Sequence, residues 1–297
     1  MLTVLIPSYN HGKFIVSCLT AASNIRISPL KIIIIDDGSK DNTSDVVADF
    51  VGRHPSIDIS FIQKDNQGVV SSLNMGLAMT ASQFVYLCAS DDIPNAIGIE
   101  RCVRMLCKDN SKSFIIGGSK NRVKGVASQT YRRSHAIFFA NTTRGIRDEM
   151  FFDYPKPLLL QSTIFRTSAL RAVGGWDSDI VIDDYSMFIK LFSALERNDY
   201  RFIPSIDVVE YRIHDGNSSK DTIRQYETQQ QLLSKYAAPE IVNKAIAYRL
   251  VFHILSNLRK KQFVNIRLLL GRSSFTQIIH SIRFLPKMLI KIISGTI

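Results

Sequence analysis

Several things are scarce in this chain of 297 residues, and each scarcity narrows what it can be. It has one tryptophan and four cysteines, Cys18, Cys88, Cys102 and Cys107, scattered without a second close pair. A disulfide framework or a zinc site is therefore not expected, and buried reduced thiols of a cytosolic protein are. No run of 18 apolar residues occurs, so no membrane span is expected. Met1-Leu-Thr-Val-Leu-Ile-Pro7 lacks a basic flank and a long apolar centre, so it does not read as a secretory signal. Gly, Pro and Ser form no linker, and no internal repeat is visible. Acid is the most telling absence. After Glu240 there is no Asp or Glu at all.

The net charge of +11 is thus unevenly placed. Residues 241–297 hold ten basic residues, while the other 27 face all 26 acidic ones. A nearly neutral body excludes a globally basic nucleic-acid binder, and the tail requires its own explanation. Hydrophobic residues at 45% and charged residues at 21% are ordinary for a folded protein.

The first ninety residues alternate between two periodicities. Leu2–Ile6, Lys31–Ile35, Ile57–Ile62 and Phe84–Cys88 are short apolar runs, and helical spacing separates them, with Phe14, Cys18, Leu19 and Ala22 the first example. Ser39 or Asp41 is placed to cap the second helix. Strand and helix in alternation predict an α/β domain built on a parallel sheet. In such sheets ligands bind beyond the carboxyl ends of the strands. Pro7-Ser-Tyr-Asn10, Asp36-Asp37 and Asp91-Asp92 each follow a strand at once, so they are predicted to meet at one edge.

Later segments are less regular. Gly117-Gly118 is read as a strand end, residues 119–150 as loops or a hairpin, and Leu158–Arg166 as a strand. Asp183-Asp184 opens a helix whose Met187, Phe188, Leu191, Phe192 and Leu195 share a face. Arg201–Ile206 and Val208–Ile213 read as strands, and from about residue 221 the pattern is helical. Residues 276–293 form an amphipathic wheel. Ile278, Ile282, Leu285, Leu289 and Ile293 fall on one side and His280, Arg283, Lys287 and Lys291 opposite, with Pro286 expected to kink or split the helix. Such a helix suits an anionic membrane surface, or packing on the body with a solvated basic face. No aromatic ladder supports nucleic-acid binding.

Paired aspartates at strand ends are hard oxygen donors for Mg²⁺ or Mn²⁺, and a histidine later in the chain makes Mn²⁺ the more fitting. The ordered set Val4-Leu-Ile-Pro-Ser-Tyr-Asn10, Ile33-Ile-Ile-Asp-Asp-Gly-Ser39, Asn66-Gln-Gly68 with Asn74 and Gly76, Leu87-Cys-Ala-Ser-Asp-Asp92, Gly174-Gly-Trp-Asp177 and Asp183-Asp-Tyr185 resembles the inverting nucleotide-sugar glycosyltransferases of family 2. The resemblance runs from residue 1 to about 220. It implies a GT-A fold, a mostly parallel sheet flanked by helices, over residues 1–220, with a basic helical region over 221–297.

The resemblance also implies roles. Pro7, Tyr9 and Asp37 would hold the base, with a carboxylate accepting the N3–H of a uracil-type ring. Asp36 would support the loop or touch the ribose, and Asp91 would take the ribose. Asp92 and His214 would carry the divalent metal, and Arg212 the diphosphate. Asp184 would be the general base, with Asp183, Gly175 and Trp176 shaping the donor-sugar and acceptor wall. Two departures stand out. Ser90 occupies a position that is acidic in the family, and Asp183 one that is usually Glu. The implied reaction is transfer from a UDP-sugar to a glycan or lipid-linked acceptor in surface-polysaccharide or lipopolysaccharide assembly, at the inner face of a membrane. A sugar-nucleotide nucleotidyltransferase is the rival class, but it normally has a Gly-rich, Arg-containing phosphate loop where this chain has Pro7-Ser-Tyr-Asn-His-Gly12. A non-catalytic nucleotide-sugar sensor is the other, and intact Asp92 and Asp184 oppose it.

Overall fold

A computed structural model describes residues 1–123, 126–152, 157–213 and 221–293. The chain divides into two compact units, Met1–Thr143 with Lys156–His214, and Arg144–Pro155 with Asp215–Ile297.

The first unit opens with β1 (Leu2–Ser8), α1 (Ile15–Ser23), β2 (Leu30–Asp36), α2 (Thr43–Arg53), β3 (Asp58–Gln63), α3 (Val69–Met79) and β4 (Phe84–Leu87). These four strands lie side by side in the order β3-β2-β1-β4 and are all parallel. Alternate residues serve opposite faces, which is why β2 is apolar without a break. Ile32 and Ile34 pack with Ile15, Leu19, Val47 and Phe50 of α1 and α2, while Ile33 and Ile35 are buried on the face that α3 covers.

Beyond β4 the sheet is mixed. The chain continues through β5 (Ile93–Pro94), α4 (Ala96–Lys108), β6 (Phe114–Val123), β7 (Val126–Gln129), α5 (Arg133–Phe139), a 3-10 turn at Leu160–Ser162, β8 (Thr163–Arg166), α7 (Thr167–Ala172), α8 (Asp183–Ala194) and β9 (Tyr200–Arg212). The order runs on as β4-β8-β6-β9-β5, with β8 antiparallel to both neighbours and β9 parallel to β6.

Four expectations change here. Gly117-Gly118 does not end a strand. It lies opposite a bulge in β9, where Ile203 pairs with Gly117 and Asp207 with Gly118. A Cβ on Gly118 would fall 2.4 Å from the Pro204 carbonyl oxygen, so the bulge needs glycine. The two strands read over 201–213 are accordingly one bulged strand. Residues 119–150, read as loops or a hairpin, hold the antiparallel pair β6 and β7 and, unforeseen, helix α5, whose Phe138 and Phe139 join the aromatic cluster of Phe114, Phe192, Tyr200 and Phe202. The strand read at 158–166 begins only at Thr163. Cys18, Cys88 and Cys102 are buried as expected, and Cys107 is exposed.

The second unit contains α6 (Thr143–Phe152) from its second residue onward, α9 (Thr222–Tyr236), α10 (Pro239–Arg259), α11 (Phe263–Gly271) and α12 (Phe275–Ile293). Phe152 of α6 packs with Tyr248 and Phe284. Helix α12 continues through Pro286 as one element, at the cost of the backbone bond proline cannot make. No helix among the described residues is long and apolar enough to cross a membrane.

Helix α4 approaches β9 closely at Gly98, where a Cβ would lie 1.8 Å from the Asp207 carbonyl oxygen. Backbone cannot yield as a side-chain tip does. Gly98→Ala is expected to destabilise the α/β unit by about 2 kcal/mol, read as a lower urea midpoint, whereas Gly52→Ala in α2, whose added Cβ meets nothing, should leave the midpoint unchanged or raise it slightly.

Candidate active site

The parallel register brings the strand ends together. Ser8 pairs with Asp36, so the segments after β1 and β2 start at one level, and Leu87 pairs with Leu5, so β4 ends three residues short of them and its next residues run on toward that level. Hydrogen bonds then stitch the first two loops. Asn10, at φ 55, receives the Lys40 N–H on its Oδ1 at 2.7 Å, and its own N–H donates to Ser39 Oγ at 2.8 Å. The Gly12 N–H donates to Asp41 at 3.0 Å, and Asp41 also accepts the Thr43 N–H at the start of α2. Ser39 donates to Asp36, so Asp36 supports the loop and Asp41 is the residue that serves the helix start.

Asp37 is buried and heavily engaged. It accepts the N–H groups of Gln67 at 2.9 Å and Gly68 at 2.8 Å and is ion-paired to Lys64. A carboxylate offers about four acceptor positions, so these donors leave room for one more. This accounts for Asn66-Gln67-Gly68 in structural terms: its backbone holds Asp37. Tyr9 is 44% exposed, and Pro7 is half-buried.

At the end of β4 the two aspartates are held differently. His11 receives or donates a hydrogen bond at 2.7 Å between Nδ1 and Ser90 Oγ, and its Nε2 lies 3.9 Å from Asp91. Asp92 is fully buried. Its Oδ1 accepts the Arg212 N–H at 2.9 Å and its Oδ2 the Gln161 side-chain amide at 3.3 Å. The Arg212 guanidinium, expected at the diphosphate, donates instead to the Asp91 carbonyl, to Ser17 Oγ at 2.8 Å and to the Phe14 carbonyl, and lies over the Phe14 ring. It fastens the end of β9 to the start of α1.

Asp183 and Asp184 open α8, as the sequence predicts. Phe188 and Phe192 anchor that helix in the aromatic cluster with Phe114 and Tyr200. Asp184 Oδ1 accepts the Leu160 N–H at 2.9 Å. Trp176 is 3% exposed, with its indole N–H donated to the Asp183 carbonyl at 3.2 Å. Its ring is therefore a packing element behind the acidic pair and not an open sugar platform. Gly175, at φ 64, takes a left-handed turn where a Cβ would meet Asn74 Oδ1 at 2.7 Å. Asn74 clamps the turn by accepting the Trp176 N–H at 2.9 Å and donating to the Trp176 carbonyl at 2.8 Å.

The acidic groups act on one another. Burial, then repulsion from Asp91, holds the Asp92 carboxyl well above the usual range. Burial raises Asp183; burial, Asp183 and Asp92 together raise Asp184 further. The Tyr211 phenol is pushed up to about 12 by burial and by all four carboxylates. Residues 91–92 and 183–184 thus converge around Tyr211. Among the described residues no three His, Cys, Asp or Glu side chains form a group that could hold a metal. His214, expected as a ligand, lies outside the described residues. The chemistry still fits a cation: hard oxygens carrying uncompensated charge suit an ion bound through one or two carboxylates and substrate phosphates.

A model of glycosyl transferase family 2 matches residues 3–172. The chain belongs to glycosyl transferase family 2. It is 30% identical to an Escherichia coli chondroitin synthase over 121 residues, 41% of this chain and 17% of that protein. It is 25% identical over 192 residues to the poly-beta-1,6-N-acetyl-D-glucosamine synthase of a Staphylococcus epidermidis strain, 64% of this chain and 45% of that one. The chain therefore spans less than half of either relative. Among solved structures it resembles S. aureus TarS 1–349 with UDP (TM-score 0.59, 16% identity, 85% of this chain and 71% of that one). It also resembles a Pyrobaculum calidifontis mannosyltransferase with GDP-Man and Mn²⁺ (TM-score 0.60, 16% identity, 98% and 86%). The family 2 chain has the GT-A fold of these neighbours.

Sequence reasoning missed four contributors to this family 2 site. Lys64 was findable, because the register pairing Asp36 with Gln63 sets the next residues, Asp37 and Lys64, side by side. Gln161, Tyr211 and His11 had no signal, since nothing in their local pattern tells which aspartate they meet.

A raised carboxyl means that the native state retains a proton that the unfolded chain releases above its usual value of 3.8. The unfolded state therefore gains as pH rises through that value, and the cost to the fold is absent below it. Asp184→Asn is expected to melt about 2–5 °C higher than the parent near neutral pH. The advantage should disappear as pH approaches 3.8 in the same thermal scans.

Proposed function

We propose that this chain transfers a sugar, with inversion, from a nucleotide-diphosphate sugar to a hydroxyl of a glycan or lipid-linked glycan, UDP-sugars being the favoured donors. The observation that carries the reading is that adjacent residues hold the two acids, the Leu160 N–H donating to Asp184 and the Gln161 side-chain amide to Asp92, at the carboxyl end of β4 where Asp91 also lies. That arrangement sets a proton acceptor against a phosphate-binding edge. Solved neighbours hold UDP, UDP-GlcNAc, or GDP-Man with Mn²⁺, which supports a nucleotide-sugar donor.

In this reading Tyr9 offers a flat face to the base, with Pro7 shaping the pocket floor. The remaining acceptor position of Asp37 takes the ring N–H. Asp91 serves the ribose. Asp92 holds the divalent ion together with the diphosphate, and His214 is its proposed second protein ligand. A bound Mn²⁺ or Mg²⁺ supplies neutralisation of the leaving diphosphate. Asp184 accepts the proton of the acceptor hydroxyl as its oxygen bonds to C1 and the C1–O bond to the diphosphate breaks. Its raised basicity suits that role better than an ordinary carboxylate. Asp183 and Gly175 line the sugar side, Trp176 sets the position of Asp183 from behind, and Arg212 positions Asp91 and Asp92 through the backbone. The relatives that assemble polysaccharides support a role in surface-polysaccharide or lipopolysaccharide synthesis. The acid-free tail supports work at an anionic membrane face on the cytoplasmic side.

The test is a thermal-shift series with UDP-, GDP- and dTDP-sugars, with and without Mn²⁺, followed by transfer assays. Stabilisation by a UDP-sugar that Mn²⁺ enhances is expected. Asp184→Asn should reduce transfer about 10²- to 10⁴-fold while retaining UDP binding. No stabilisation by any donor, with or without Mn²⁺, would defeat the reading.

A further inference from the structure

Helix α12 is attached to its unit by an edge other than its apolar face. Gln277, Ser281 and Met288 are the buried positions. Met288 packs with Tyr248, Val251 and Leu255 of α10, and the Gln277 side-chain amide donates to Asn243 Oδ1 at 3.2 Å. The strongly apolar stripe of the same helix, Phe275, Ile279, Ile282, Leu285, Leu289 and Ile290, lies outside that packing. Phe275, Ile282 and Ile290 are 79%, 66% and 67% exposed. At 100° per residue the stripe spans about 140° of the circumference, the width of a face that normally packs against something. Exposed Arg283 and Lys287 flank it.

We infer that the Phe275–Ile290 face of α12 docks on an anionic lipid bilayer, with its apolar stripe in the acyl boundary and Arg283 and Lys287 among the headgroups. Two independent observations select this occupant. The face takes no part in the packing on α10, which the Gln277–Met288 edge supplies. And the segment from residue 241 onward carries ten bases and no acid; apart from buried Arg249 and Arg272, which is paired to Glu227, its bases are complementary to anionic lipid. A second copy of the chain would bring the same basic residues against one another. No described helix is long and apolar enough to span a membrane, so α12 lies along the surface. The inference rests on the membrane-surface reading of the tail, and lipid binding is measured apart from sugar transfer so that the two fail separately.

The experiment is co-sedimentation of the full chain with phosphatidylcholine vesicles containing about 30% phosphatidylglycerol, and with phosphatidylcholine alone. Binding to the anionic vesicles is expected, and it should weaken as salt is raised. Ile282→Glu with Ile290→Glu should abolish it, and Arg283→Gln with Lys287→Gln should weaken it about 20-fold, roughly fivefold per base. All four positions are exposed, and an unchanged melting temperature checks that the variants fold. Equal sedimentation of parent and Glu variant would overturn the inference. So would a parent dimer, seen by analytical ultracentrifugation without vesicle binding and dispersed by the same substitutions, which would assign the face to a second copy. Vesicle binding without transfer activity would leave the inference standing and count against the catalytic reading alone.

Discussion

Carboxyl groups at residues 91, 92, 183 and 184 repel one another in a place where water cannot fully screen them, and much of the first unit is arranged around holding them there. Burying negative charge without a cation is costly. The fold meets the cost with backbone N–H donors from distant segments: Arg212 for Asp92, and Leu160 for Asp184. Such donors do not neutralise charge, which is why Asp92 and Asp184 remain raised. A site kept in this electrostatically unfavourable state suits a role in which substrate and metal complete it.

The supporting structure works in layers. Parallel register aligns the strand ends, and loop-to-loop hydrogen bonds through Asn10, Ser39 and Asp41 keep the first two segments in place. The aromatic cluster of Phe114, Phe188, Phe192 and Tyr200 anchors α8, so its acidic first turn projects from a rigid base. Asn74 links α3 to the Gly174-Gly175 turn and thereby to Trp176 and Asp183. Several family motifs are thus scaffolding for the four acids more than contacts for substrate.

The segment up to β4 was legible because β1, β2 and β4 are buried on both faces and its helices on one, so each announces itself by periodicity. Between Phe114 and Ala172 periodicity fails, and it does not show the bulge in β9. The β9 bulge opposite Gly117-Gly118 shifts register within one strand, and α5 contributes only a few aromatic anchors. The aspartates of the site were legible, since strand ends and helix starts are local features. Their partners were not. Arg212 was expected at a phosphate and instead spans from β9 to α1, and Trp176 was expected at a sugar and lies behind Asp183. A long side chain's destination depends on which elements pack around it.

The sequence by itself determined where charge and periodicity lie: a balanced body with acids at strand ends, and a basic tail with an amphipathic final helix. Those are properties of composition and order along the chain, and no folding is needed to count them. Tertiary structure alone decided which edge of α12 is buried. Met288 and Gln277 fit α10, and the more hydrophobic stripe does not face it. The same holds for Asp92 and Asp184, raised by burial and by neighbouring carboxylates, and for Asp183, raised by burial, because only packing creates those surroundings.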